Sequence, residues 1–181
     1  MADGWGRPRA SSTVQYEFKP LASDLDSALR LISERARSLT RGDGAAVALV
    51  HNGSMTCRAS VGTGAPELGT QLDANSGFSG KCVRDGKALR CDDAEADARV
   101  DAASCRQLGI RSILGAPIQY ERDIVGLLEV FSAQTFAFDE GDIADVVAAE
   151  RDAHLPDRFE ERQRFDVADR AADFHDGDLG L

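Results

Sequence analysis

The amino-acid sequence predicts an α/β fold of the α+β kind, in which helices at both chain ends cover one face of a mostly antiparallel sheet. The middle of the chain covers the other face. Three observations carry this reading. Helical patterning with caps brackets the central region, at 21–41 and again from Asp139 onward. Two pairs of strand-like runs are each joined by a connection short enough for a hairpin. The segment between those pairs is rich in Gly and Asp, which suits loops and short helices packed over a sheet.

Composition bounds the rest. A chain of 181 residues favours one domain, and 43% hydrophobic content is enough for one packed core. The formal net charge of −10 repels phosphate backbones and acidic phospholipid surfaces, so neither nucleic acid nor membrane is an expected partner. No apolar run approaches the roughly 20 residues of a spanning helix. The start, "MADGWGRPRASSTVQ", lacks a signal-peptide core. Four cysteines are too sparse for a disulfide scaffold, which points to reduced thiols and a cytoplasmic protein.

Residues 1–20 mix Gly, Pro, Arg and Ser without period and are expected to be a disordered leader. "PLASDLDSALRLISERARSLTRGDG" then suits an amphipathic helix, with Ser23 as N-cap and Gly42 just past its end. Leu21, Leu25, Ala28, Ile32 and Leu39 form its apolar stripe, to pack on the sheet or, in part, on a second copy. "AAVALVHNGSMTCRASVG" reads as two strands around Asn52-Gly53, a strong hairpin signal. Residues 62–77 read as a long Gly-rich connection. "SGKCVRDGK" suits a turn or two of helix ending at Gly86, and "ALRC" a short strand. "DDAEADARVDAASCRQLG" should be loop, then a short helix closed by Gly109. "RSILGAPIQYERDIVGLLEVFSA" should be two strands joined near Glu121–Asp123.

The last clear element is "DEGDIADVVAAERDA". Asp139 is its N-cap, Phe138 staples onto Ile143, and early acids suit the helix dipole. Leu155-Pro156 should interrupt it. Residues 153–181 are expected to be an acidic tail, frayed or disordered; from Asp152 onward nine acids face four arginines. The folded domain is thus expected over 21–152.

Five pieces in order resemble the GAF domain family. They are the turn Gly77–Gly80, the acidic loop Asp93–Arg99, the strand Ile110–Pro117, the strand Gly126–Val130, and the Asp-led helix from Asp139. The resemblance spans about residues 21–152. It implies a six-stranded antiparallel sheet, with a small-molecule pocket roofed by the loop and short helix between the third and fourth strands. It also implies a sensory role and dimerisation through terminal helices, here helix 21–41. It names no particular ligand or cofactor.

Metal binding finds no support in the spacing. The thiols at 57, 82, 91 and 105 contain no Cys-x(2–4)-Cys knuckle, so the default reading is small buried hydrophobes. Some GAF-fold enzymes reduce free methionine sulfoxide with loop cysteines, which makes thiol chemistry at Cys82, Cys91 or Cys105 the main alternative. This chain departs from them at Ser79, Ile113 and Phe131, where that group has a cysteine and two acids. A cyclic-nucleotide signature is represented only by Phe138–Glu140, and no cysteine has the bilin-attachment context. A ligand-free protein-interaction module is the third reading, suggested by the acidic tail.

Candidate ligand-binding residues are Cys91, Asp93, Asp97, Arg99, Cys105, Arg111, Ser112 and Glu129. Arg99 and Arg111 could pair a carboxylate or phosphate. Equally, Asp93 and Asp97 could bond loop amides, with Arg99 pairing one of them. Ser112 suits a hydroxyl bonded to backbone, since no base or nucleophile elbow surrounds it.

Overall fold

The computed structural model describes residues 20–120 and 122–151. The expected leader and acidic tail, and the break at Pro156, lie outside these residues, apart from Pro20. The elements run α1 (Pro20–Thr40), β1 (Gly44–His51), β2 (Ser54–Gly62), β3 (Gln71–Asp73), α2 (Gly77–Asp85), β4 (Leu89–Cys91), α3 (Ala102–Leu108), β5 (Ser112–Tyr120), β6 (Asp123–Ser132) and α4 (Glu140–Arg151). The six strands form one sheet in the order β3-β2-β1-β6-β5-β4, and every neighbouring pair is antiparallel.

Strand alternation splits the core in two. Ala45, Val47 and Leu49 of β1 and Leu128 and Val130 of β6 face α1 and α4. Ala46, Ala48, Leu127 and Phe131 face α2 and α3. A bulge lets β2 serve both faces. Ala48 pairs with Cys57 and Val47 with Ala59, so Arg58 is extra and the strand changes parity there. Met55 and Cys57 therefore lie with α2, whereas Ala59 and Val61 lie with α1.

Local signals predict the turns and caps well. Asn52 and Gly53 both take positive φ, 48° and 79°, as a two-residue hairpin of the primed type requires. Asp139 Oδ1 accepts from the amides of Gly141 and Asp142, and Asp142 Oδ2 accepts from the amide of Asp139 at 2.8 Å. This reciprocal pair starts α4. Phe138 is buried and Ile143 packs in the same cluster, as the staple requires.

Three expectations need correction. The first helix begins at Pro20, so Ser23 lies inside it and is not its N-cap. Proline's fixed φ suits the opening turn, where its missing N–H costs nothing. The helix ends at Thr40 with Arg41 in the left-handed region (φ 56°), and Gly42 lies just past that end as expected, its N–H bonded to Arg37 O.

The buried face of α1 is Leu25, Leu29, Ile32 and Ala36, together with Ser33 and Thr40. Leu39, assigned to the stripe from spacing, is 46% exposed. The two buried hydroxyls explain the shift. Ser33 Oγ donates to Leu29 O and Thr40 Oγ1 to Ala36 O, so polar side chains sit inward without an unpaired donor.

Finally, the 62–77 connection contains β3. Its three residues pair with Ser54–Thr56, while the amide of Cys57 bonds Thr70 O. Only this partner makes Gln71–Asp73 a strand.

Candidate functional site

The face under α2 and α3 carries one buried acid. Glu129 stands between Leu127 and Phe131 on the central strand β6, opposite Ala46 of β1 and Gly115 of β5. It is 6% exposed. Ser79 Oγ, from the first turn of α2, donates to Glu129 Oε1 at 2.7 Å. Burial pushes the carboxyl up to about 7, and the serine bond offsets only part of that.

Gly115 lets α2 approach this closely. A Cβ there would lie 3.0 Å from Cys82 Sγ and 3.1 Å from the Phe78 ring. Any larger residue would lift the helix that presents Ser79.

All four thiols are buried and free. Desolvation pushes Cys82 up to about 12, and the nearby Glu129 adds to it. Cys105 rises to about 11 through burial, then Asp101 and Glu129. Cys57 is raised by burial and then by Glu129. Cys91 reaches about 12 through burial and its neighbour Asp97, to which it also hydrogen bonds. Near neutral pH these groups stay as thiols, and the thiolate is the nucleophile.

A roof of residues 92–101 lies between β4 and α3. Three of its four aspartates recur every fourth residue, and each of these accepts a hydrogen bond from an amide two residues on. Asp93 bonds Glu95 N–H, Asp97 bonds Arg99 N–H, and Asp101 bonds Ala103 N–H, the last capping α3. The two arginines are already engaged. Arg111 Nη2 reaches Asp93 Oδ1 at 3.1 Å, though its buried Nε has no hydrogen-bond partner among the described residues. Arg99 Nε donates to Asp97 Oδ1 at 2.9 Å, and its Nη2 bonds both Asp97 and the Arg90 carbonyl. The guanidinium sits 5.3 Å from the Phe78 ring centroid. This pairing holds the Asp97 carboxyl down at about 2, with the Arg99 bond as the largest cause.

The eight predicted residues thus fall into separate groups. Glu129 belongs to the sheet face, and Cys105 is buried on α3 in the cluster that packs over that face. Cys91, Asp97 and Arg99 form one cluster, and Asp93 and Arg111 another. Ser112 is turned away: its buried hydroxyl donates to Gln134 O at 2.8 Å, at the end of the sheet. Sequence reasoning did not select Ser79 or Phe78 as site residues. Ser79 meets Glu129 across 50 positions, and no local pattern signals such a pair. Among the described residues, no group of three or more His, Cys, Asp or Glu is placed to hold a metal ion. No helix among them is long and apolar enough to cross a membrane.

A comparison with curated proteins finds no match. Solved structures do match. The type II free methionine-R-sulfoxide reductase from Thermoplasma acidophilum is 18% identical, with TM-score 0.63, covering 75% of this chain and 94% of its own. The GAF domain of a phosphoenolpyruvate-protein phosphotransferase from Coxiella burnetii is 20% identical, with TM-score 0.63 and coverages of 80% and 86%. The blue-light-absorbing form of the PixJ GAF domain from Thermosynechococcus elongatus is 16% identical, with TM-score 0.62 and coverages of 86% and 96%. At these identities the likeness is one of fold. A family model described as GAF domain matches residues 22–145, well over half of the sequence. The chain belongs to the GAF domain family.

Proposed function

We propose that this GAF domain is a sensory module that binds a small organic molecule against Glu129, beneath α2, α3 and the 92–101 roof. GAF domains generally serve as sensory, ligand-binding modules. The observation that carries the reading is the buried acid itself. Glu129 occupies a central strand position flanked by Leu127 and Phe131, where folding alone would be served better by an apolar residue. A carboxyl kept there at a cost is a group available to a ligand.

The surrounding chemistry favours a ligand that offers Glu129 an N–H donor or a cation and presents an apolar body to Phe78 and Phe131. An anionic ligand would have to take Arg99 from Asp97 or Arg111 from Asp93. In this reading Cys105 lines the site, and Cys91, Asp93, Asp97, Arg99 and Arg111 hold its walls, whereas Ser112 faces away from it. A thiol redox role has less support, because burial keeps Cys82, Cys91 and Cys105 protonated near neutral pH.

A thermal-shift screen of amines, amidines, amides and anionic metabolites at pH 7 tests the reading. At least one donor-bearing compound should raise the melting temperature of the full chain, and Glu129→Gln should lose that rise. A screen without shifts, or with hits indifferent to Glu129, removes the proposal.

The domain also pairs with a second copy through α1 in this reading. Leu31 and Leu39 are exposed on that helix, at 62% and 46%. Light scattering should give a dimer mass for the wild type and a monomer for Leu31→Glu. A monomeric wild type at micromolar concentration would exclude the pairing.

A further inference from the structure

A ligand that reaches Glu129 must pass its cover, because only 6% of the residue is exposed. Two parts of that cover, α2 and the roof, are held very differently. α2 drives Phe78 and Cys82 into the sheet against Gly115, and Cys82 Sγ donates to Gly115 O. In residues 92–101, Ala94 is the one buried side chain. Segments with few buried apolar contacts open at the lowest free energy.

The roof nevertheless has a fixed shape. Besides the three aspartate turns, the amides of Ala96 and Asp97 bond Asp93 O, and that of Val100 bonds Asp97 O. Apart from the Asp101 turn, which reaches into α3, these bonds lie within the segment and survive if it swings as a body.

Its C-terminal end is built into α3, where Asp101 accepts from the amides of Ala103, Ser104 and Cys105, and its other attachments lie on two sides. One is the Arg111 side, where Ala94 N–H bonds Arg111 O at 2.7 Å, Asp93 pairs with the Arg111 side chain, Phe136 N–H bonds Asp92 O at 2.8 Å, Asp92 pairs with Arg90, and Glu95 reaches Arg106 of α3 at 3.6 Å. The other is Arg99. Its guanidinium rests over the Phe78 ring, its Nη2 bonds Arg90 O at 3.1 Å, and its carbonyl lies 3.4 Å from where a Cβ on Gly77 would be. The ion pair with Asp97 is internal to the roof and keeps the guanidinium aimed at α2.

We infer that residues 92–101 are a lid that opens as a preformed unit, hinged on its Arg111 side, with Arg99 as the latch on Phe78 and the Arg90 carbonyl. The lid controls access to the site proposed above, and in that respect it rests on that reading. Its motion can be measured without any ligand.

Two thiols report on it. Cys91 is 1% exposed and hydrogen bonds Asp97 of the lid, so lifting the lid uncovers it. Cys82 lies under α2 and should be uncovered only when the helix leaves the sheet.

The experiment is labelling of the full chain with an aromatic disulfide reagent at pH 8, with each cysteine followed by peptide mass spectrometry. Removing a cation–π contact and a charged hydrogen bond should raise the labelling rate of Cys91 about tenfold in Arg99→Ala, with Arg99→Lys between. Cys82 should label at the wild-type rate in both. Hydrogen exchange at Ala96 and Val100 should keep the wild-type rate, because their bonds lie within the lid and move with it; exchange that quickens there together with Cys91 would mean that the segment unfolds rather than swings. An unchanged Cys91 rate would overturn the latch. So would an equal acceleration of Cys82, which would mean that Arg99 holds the whole fold. If the thermal-shift screen finds no ligand while Cys91 responds as expected, the lid stands and the ligand reading falls; a silent Cys91 beside a genuine ligand gives the reverse.

Discussion

Glu129→Gln is expected to raise the unfolding free energy above pH 7 by about 3 kcal/mol while leaving it almost unchanged near pH 4.5. The folded carboxyl is raised from 4.5 to about 7, so the native state holds this proton more tightly than the unfolded chain does. Below pH 4.5 both states are protonated and the residue costs nothing extra. Between 4.5 and 7 the unfolded chain ionises first, and stability falls as pH rises. Above 7 the folded protein must bury a charge, and the penalty levels off. Glutamine does not titrate, and its carbonyl oxygen can still accept from Ser79. Urea denaturation of both proteins from pH 4.5 to 8.5 measures the difference directly. Two parallel profiles would show that Glu129 does not carry this burden. The expected cost is the stability side of the proposed site: a ligand donor beside Glu129 would recover what burial takes.

Leu29→Ala should cost about 3 kcal/mol, within the range usual for a fully enclosed leucine. The Leu29 side chain is 0% exposed between α1 and the sheet, clustered with Val47, Leu128 and Val146. Leu39→Ala should change stability by less than about 0.5 kcal/mol, since its side chain already meets solvent. Paired chemical melts at one pH decide the matter. Equal losses would mean that α1 is rotated relative to the face described above.

That contrast shows where sequence reasoning succeeded and failed. Helix 21–41 was legible from its period, but its inward face was not. Spacing of apolar residues placed Leu39 inward and gave no weight to Ser33 and Thr40. Their hydroxyls turn inward because each can bond a carbonyl one turn back, a choice polarity scales do not express. The strand β3 was illegible for a related reason. Gln71-Leu72-Asp73 has no strand character of its own, and pairing with Ser54–Thr56 creates it. The residue types of the acidic loop suit either binding a ligand or bonding its own amides. The bonds of Asp93, Asp97 and Asp101 follow the second pattern in the described structure.

Local chemistry settles whatever depends on a few adjacent backbone groups, and here the sequence alone was sufficient. The Asn52-Gly53 turn, the Asp139 cap, the glycine stops at Gly86 and Gly109, and the antiparallel hairpins β1–β2 and β5–β6 follow from nearest neighbours and short connections. Packing settles whatever depends on groups far apart along the chain. The bulge at Arg58 that turns Cys57 and Ala59 to opposite faces is such a case. So are the meeting of Ser79 with Glu129 and the seat of Arg99 on Phe78. Burial shifts a carboxyl only when several elements close over it together, and that closure is a property of the folded chain.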